Sequence, residues 1–250
     1  MDIIKKIAEE LQIKATQAEA AVRLIDEGCT IPFIARYRKE ATGALNDEQL
    51  RNLDERLRYL RNLEDRKEQV IASIEEQGKL TDELKQQILA AETMVLVEDL
   101  YRPYKQKKRT RAMIAKEKGL EPLANLILLQ MTNEPLEKEA KAFINEEKDV
   151  KTVEDALKGA NDIIAEHIAD DAEYRTWIRK ATWDHGKITS TAKKPDESSV
   201  FEMYYDFEEP IKKIAGYRIL AINRGEKEGI LQVKIEPDMH CLLYTSDAAD

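Results

Sequence analysis

The sequence predicts a mainly α-helical, elongated protein with one long central helix and a small strand-containing segment near its C-terminus. Three observations lead there. Nine glycines and seven prolines among 250 residues are sparse punctuation, which favours helices over a many-stranded sheet. Charged residues make up 36% and apolar residues 42%, a mixture suited to long solvent-exposed helices around a core. Leu50, Leu53, Leu57 and Leu60 keep a heptad seam inside one stretch running from Asn46 to about Gln77.

The elements follow in chain order. Ile4, Ile7 and Leu11 recur at helical spacing. Thr16 to Glu19 reads as a capping box opening a second helix, which carries Ala18, Ala21, Val22 and Ile25 inward and stops at Gly28. Pro32 is pre-set for the first turn of a third helix, with Phe33, Ile34 and Tyr37 as its packing residues and Gly43 as its break. Asn46 caps the longest helix, in which Val70, Ile71 and Ile74 resume a buried stripe near the end. At 1.5 Å per residue this rod would span about 45 Å, longer than a compact bundle needs, hence the elongated reading. Helices from Thr81 to about Ala91 and from Glu92 to Tyr101 are cut by Arg102-Pro103, and a loop and helix follow to Gly119.

Three more helices are expected over Glu121 to Gln130, Leu136 to Phe143 and Thr152 to His167. The last opens with a Thr152/Asp155 box and buries Ala156, Leu157, Ile163 and Ile164. A further helix reaches Trp183. Lys187 to Ala192 reads as a short strand, Ser199 to Tyr205 and Ile211 to Ile214 as short helices, and Gly216 to Glu226 as another helix. Residues 229–236 alternate as a strand with little to pair against. The division expected is a helical region over 1–192, then 193–238 as a helical segment ending in a strand and leading toward a downstream α/β domain. Residues 239–250 abandon the preceding style and resemble translated adapter read-through, so they are set aside as an artefact, with the natural chain expected to continue past Asp238.

Composition narrows function mostly by exclusion. Asp and Glu number 49 against 40 Lys and Arg, a net charge of −9. No window approaches a bilayer-spanning apolar length, and acids interrupt the N-terminus where a signal peptide would be apolar. Cys29 and Cys241 give neither a disulfide framework nor ligand spacing, so a cytoplasmic protein is expected. His167 reads as a packed or helix-end residue, His185 as a loop residue, and with His240 they share no i, i+4 face for a metal. Neither a phosphate-binding glycine loop nor a nucleophile elbow is present. The reading is of a protein that is not an enzyme, with no catalytic residue, cofactor, metal or small-molecule substrate. Trp177 and Trp183 are assigned to the core.

Positive charge is concentrated in one place. Between Tyr101 and Gly119 stand Arg102, Lys105, Lys107, Lys108, Arg109, Arg111, Lys116 and Lys118, against the single acid Glu117. Such density, with Tyr101 and Tyr104 at its start, is what RNA or another single-stranded nucleic acid needs. Two readings stand for it: polyanion contact, or a solvated loop or strap tied across acidic helices. Lys105, Lys107, Lys108, Arg109 and Arg111 are the foremost contact candidates because they crowd a loop, whereas Lys116 and Lys118 complement a helix end. A second block, Thr30 to Asn46, mixes its apolar set with Arg36, Arg38 and Lys39; Arg36 and Arg38 pair with helix acids or contact phosphate.

Together these blocks resemble the N-terminal region of the Tex family, bacterial transcription accessory proteins related to a eukaryotic transcription elongation factor. Thr30-Ile-Pro-Phe-Ile-Ala-Arg-Tyr-Arg-Lys-Glu-Ala-Thr-Gly43 and Glu98-Asp-Leu-Tyr-Arg-Pro-Tyr-Lys105 carry the resemblance. Thr110-Arg-Ala112, Lys118-Gly-Leu-Glu-Pro-Leu-Ala124 and Arg218-Ile-Leu-Ala-Ile-Asn-Arg-Gly-Glu226 complete it over residues 1 to 238. Asn161 and Tyr217 depart from it, standing where Arg and His are expected. The resemblance implies a Tex-like helical N-terminal part followed by a ribonuclease-H-like domain, helix-hairpin-helix modules and an OB-fold RNA-binding domain. The last of these would hold the principal nucleic-acid affinity, and the ribonuclease-H-like domain would not be an active nuclease. The expected role is an RNA-binding transcription accessory protein acting as a scaffold, with RNA and the transcription or translation machinery as partners. The competing class is a protein–protein interaction module without nucleic-acid binding of its own; a nuclease would need carboxylates absent from these residues.

Overall fold

The computed structural model describes residues 2–130 and 134–238, so the segment set aside at 239–250 lies outside the described residues. Among the described residues are twelve α-helices and one three-stranded antiparallel sheet, the mainly helical fold with a small C-terminal strand component that the sequence predicts. Contacts divide the chain into two compact units, one ending at Gln106 and the other beginning at Lys107. The boundary read at 192/193 falls inside the second unit, at the end of its first strand.

The first unit consists of α1 (Ile3–Glu10), α2 (Ala15–Asp26), α3 (Ile31–Tyr37), α4 (Asp47–Glu76), α5 (Asp82–Ala90), α6 (Met94–Tyr101) and a closing 3-10 turn, Arg102–Tyr104. Helix α4 touches each of the other five helices. Its start is fixed by a capping box: Asn46 accepts from the Gln49 N–H at 2.8 Å and Gln49 accepts from the Asn46 N–H at 3.0 Å. The box opening α2 is not Thr16/Glu19. Helix α2 begins at Ala15, and Gln17 Oε1 accepts from the Lys14 N–H at 3.1 Å, because Thr16 already lies inside the first turn.

The buried stripe of α4 is longer than the leucine seam suggests, running Leu50, Leu53, Leu57, Leu60, Leu63, Lys67, Val70 and Ile74. Lys67 is only 1% exposed and occupies a core position of the repeat. Its Nζ donates to Glu64 Oε1 at 2.8 Å and to the Leu89 carbonyl at 2.9 Å. That carbonyl sits in the last turn of α5, where the helix offers it no partner. The lysine thereby stitches α5 to α4. Polar side chains pin the remaining elements at successive heights: Arg56 to Glu10 of α1, Tyr59 Oη to the Met94 N–H, Arg61 to Asp26 at the end of α2, and Ser73 to Tyr101.

The second unit is built on α10 (Val153–Asp170), which packs against α7 (Arg111–Glu117), α8 (Glu121–Leu129), α9 (Leu136–Lys141) and α11 (Ala172–His185). Thr152 caps it as expected, accepting from the Asp155 N–H at 3.1 Å. Its buried side chains are Ala156, Ala160 and Ile163, while Leu157 and Ile164 are half-buried. Small residues on both helices let α7 and α10 approach: a Cβ on Gly159 would stand 2.3 Å from Leu120 Cδ1 and 3.4 Å from Ala115 Cβ.

The sheet has order β2-β1-β3, with β1 (Lys187–Ala192), β2 (Asp206–Pro210) and β3 (Leu231–Glu236). The late strand, read as having little to pair against, in fact pairs along its length: β3 joins β1 from Lys187↔Glu236 to Ala192↔Leu231. The helices expected at Ser199–Tyr205 and Ile211–Ile214 are corrected: the first is a 3-10 turn at Glu202–Tyr204, and the second is a plain turn. Strand β2 lies between them. Asp-Phe-Glu-Glu-Pro is a poor strand former, and only the edge position and the pairing to β1 make it one. Helix α12 (Gly216–Lys227) covers β3 through Ile222, Leu231, Phe201 and Tyr204.

Two measurements check this packing. Gly159→Ala should destabilise the protein by about 1–3 kcal/mol through overpacking against Leu120, read from urea unfolding, whereas Gly216→Ala, with open space around it, should be neutral or stabilising. The second concerns acid. Hydrogen bonding from Arg56 holds the Glu10 carboxyl below its ordinary value, and Arg61 does the same for Asp26. Because these groups are more acidic folded than unfolded, their stabilisation is full above the ordinary carboxylate range. It is lost as the pH falls through the lowered folded values. The urea midpoint should therefore drop between pH 7 and pH 3, and Glu10→Gln should shrink that drop.

Candidate nucleic-acid interface

The 3-10 turn that carries Pro103 ends at Tyr104, with Lys105 extended after it, and Thr110 caps α7 by accepting from the Met113 N–H at 3.1 Å. Lys105, Lys107, Lys108 and Arg109 therefore sit on an open loop, as expected, whereas Arg111, also expected there, opens α7. The chain passes from the first unit to the second within this loop, between Gln106 and Lys107, so its cations are described unit by unit. Arg102 and Lys105, on the first unit, are both exposed.

On the second unit most of the positive charge is already neutralised. Lys107 is half-buried and bonded to Asp170 near the end of α10, with Glu166 Oε1 at 3.4 Å. Arg109 donates to Glu117 at 2.9 Å, and Arg111 stands 3.6 Å from Asp162. Lys116 lies 3.1 Å from Glu121. Lys118 donates to the Asp149 carbonyl at 2.9 Å and to its carboxylate at 3.2 Å, which lowers the Asp149 pKa. Lys108 alone of these is exposed with no carboxylate partner among the described residues. The strap reading thus accounts for Lys107, Arg109, Arg111, Lys116 and Lys118, while Lys105 and Lys108 keep their charge uncompensated.

The second candidate block behaves differently. Helix α3 is two turns long and turns one face to α4, with Ile34 fully buried and Ile31 and Ala35 packed beside it. Phe33 and Tyr37, expected to pack, are instead 37% and 61% exposed. Four residues apart on the outer face, they meet each other, ring centroids 5.3 Å apart at 46°. The Arg36 guanidinium stands 5.9 Å from the Tyr37 ring and that of Arg38 5.4 Å from Phe33. None of Arg36, Arg38 and Lys39 has a carboxylate partner among the described residues.

The turn after α3 is held firmly. The buried Thr42 hydroxyl donates to the Arg38 carbonyl at 3.2 Å, and Gln17 Nε2 donates to the Thr42 and Gly43 carbonyls at 3.3 and 2.8 Å. Gly43 is required there, since its φ is +57° and a Cβ would lie 2.7 Å from Gln17 Nε2.

The other residues singled out in the sequence do not converge. His167 and His185 are exposed on separate helices, and no cluster of His, Cys, Asp and Glu among the described residues could hold a metal. Trp177 and Trp183 are not core residues. They are 37% and 58% exposed, because α11 buries none of its residues and no second layer covers its outer face among the described residues. No helix there is long and apolar enough to cross a membrane. Sequence reasoning missed the exposure of Phe33 and Tyr37; the brevity of the helix between Pro32 and Gly43 is the signal that one face would be left uncovered.

Comparison with known proteins places the chain. The family model of the Tex-like protein N-terminal domain matches residues 1–75, and that of the Tex central region matches residues 131–246. A Bacillus subtilis protein named YdcI is 50% identical over 236 residues, covering 93% of this chain and 33% of the relative. The transcriptional accessory protein Tex of Neisseria gonorrhoeae is 45% identical over 242 residues, 95% of this chain and 32% of the relative. S1 RNA-binding domain-containing protein 1 of Pongo abelii is 33% identical over 244 residues, 94% of this chain and 24% of the relative. The chain spans about a third of the length of the bacterial relatives it matches.

The division of the loop into bound and free cations is open to measurement. A double-mutant cycle on Lys107 and Asp170, both to Ala, should return a coupling of about 1 kcal/mol in urea unfolding. Lys108→Ala should leave stability within about 0.5 kcal/mol of the parent.

Proposed function

The chain belongs to the Tex family, and on that premise we propose that it serves a transcription accessory protein as a non-catalytic, cytoplasmic scaffold that contacts single-stranded RNA. The observation that carries this reading is that, of the cations in the two blocks, Lys105 and Lys108 on the loop and Arg36, Arg38 and Lys39 in and just after α3 are exposed and without carboxylate partners among the described residues. In an acidic chain that ties most of its loop cations to acids, charge left uncompensated is what a phosphate backbone can use. Lys107, Arg109 and Arg111 contact RNA only by exchanging an existing carboxylate for a phosphate, which contributes little net energy. The relative named for an S1 RNA-binding domain supports the same polyanion.

A second reading, a protein-interaction module of the transcription or translation machinery, is favoured by α11. Its Tyr174, Ile178 and Trp183 stand exposed on a helix that buries nothing, the kind of apolar surface a protein partner covers.

Fluorescence anisotropy with single-stranded RNA across a salt series tests the first reading. Each phosphate neutralised on a single strand contributes about −0.7 to the slope of log K against log salt, so five contacts give about −3.5. Lys105→Ala and Lys108→Ala should each reduce the slope by about 0.7, and Arg109→Ala should leave it unchanged. Absence of binding at low salt would sink the RNA reading and leave the protein-interaction one.

A further inference from the structure

We propose that the outer face of α3 is a base-stacking platform: Phe33 and Tyr37 receive an unpaired base of single-stranded RNA, and Arg36, Arg38 and Lys39 hold the adjoining phosphates. This deepens the RNA reading and rests on it. The arginine–aromatic contacts among the described residues are of two kinds. Arg56 over Tyr59 is bonded to Glu10, Arg66 over Tyr101 to Glu98, and Arg218 over Tyr217 to Glu209. In those three the guanidinium is a structural cation already neutralised. Arg36 over Tyr37 and Arg38 over Phe33 lack such an acid, so their planes and their charge are both available.

The aromatic pair adds what a purely electrostatic site lacks. Its rings lie 5.3 Å apart and tilted at 46°, so they do not close face to face, and both are accessible to solvent. A nucleobase can stack on such a ring or on a guanidinium plane without sequence preference. An acidic polypeptide would satisfy the cations and gain little from the rings. Glu40, exposed after Lys39, is the acid adjacent in sequence and has no ion pair with these cations. The platform is also built firmly: Thr42, Gln17 and the left-handed Gly43 and Ala44 hold the turn from which Arg38 and Lys39 project. Non-glycine residues in that conformation are uncommon and cluster where surrounding structure holds a functional segment in place.

The test uses the 250-residue chain and a single-stranded RNA of about 12 nucleotides carrying a fluorescent adenine analogue whose emission falls on stacking. Saturation with the parent protein should quench the analogue. Phe33→Ala and Tyr37→Ala should each weaken binding by about 5- to 100-fold without changing the salt slope, while Tyr37→Trp should retain affinity and quenching. Arg36→Ala and Arg38→Ala should each flatten the slope by about 0.7. Both rings are exposed, and circular dichroism should confirm that the fold is kept.

RNA binding that is as tight in the double variant Phe33→Ala/Tyr37→Ala as in the parent, without quenching, would overturn the platform while leaving RNA contact elsewhere intact. Absence of RNA binding by the parent at low salt would overturn both. Binding of poly-glutamate that depends on Arg36 and Arg38 but not on the rings, with no response to RNA, would replace the platform with a docking site for an acidic protein segment.

Discussion

The first unit depends on one continuous buried stripe along α4. Helices α1, α3, α5 and α6 are seven to nine residues each, and helices of that length do not hold together in water by themselves. They persist because a 30-residue helix presents apolar positions from Leu50 to Ile74 without a gap. The stripe stays continuous only through Lys67, a charged residue in a core position. Its burial is tolerated because the ammonium answers two needs at once, neutralising Glu64 and bonding the orphan carbonyl of Leu89. The exposed face of α3 follows from the same constraint. A two-turn helix leaning on α4 can bury one side chain fully, and Ile34 takes that place.

Positive density in a sequence and positive potential in space are different quantities in this protein. The segment after α6 concentrates cations, yet acids of α7, α8, α10 and the α9–α10 connection pair with five of them. The field that remains comes from a few side chains, and those of α3 lie in a block with fewer cations. Counting charges along the chain ranks the two blocks one way, and counting carboxylate partners ranks them the other.

In the second unit, close helix approach takes the place of bulky packing. Alanines and Gly159 bring α7 near α10, which places Lys107 and Arg111 beside the acids of α10. The neutralised loop and the small-residue contact are thus consequences of one arrangement. The sheet beyond α11 closes on its own core of Phe201, Tyr204, Ile222 and Leu231.

Features that act over one turn of chain were legible in the amino-acid order. The Asn46 cap, the Thr152/Asp155 box, the glycine at the end of α2, the proline at the start of α3 and the leucine seam all work through backbone geometry within three or four residues, and all stand where expected. The family resemblance was legible too, since it rests on blocks of residues and not on contacts. What tertiary structure alone decided was the fate of each charge and each large apolar group. Lys107 meets Asp170 across 63 residues, Lys67 is buried by a helix whose last carbonyl needs it, and Phe33, Tyr37, Trp177 and Trp183 stay exposed because nothing described covers them. Strand β2 exists only because β1 offers it hydrogen bonds. Local propensity is a property of neighbours along the chain. Burial and neutralisation are properties of neighbours in space, which are set only once the helices have chosen their partners.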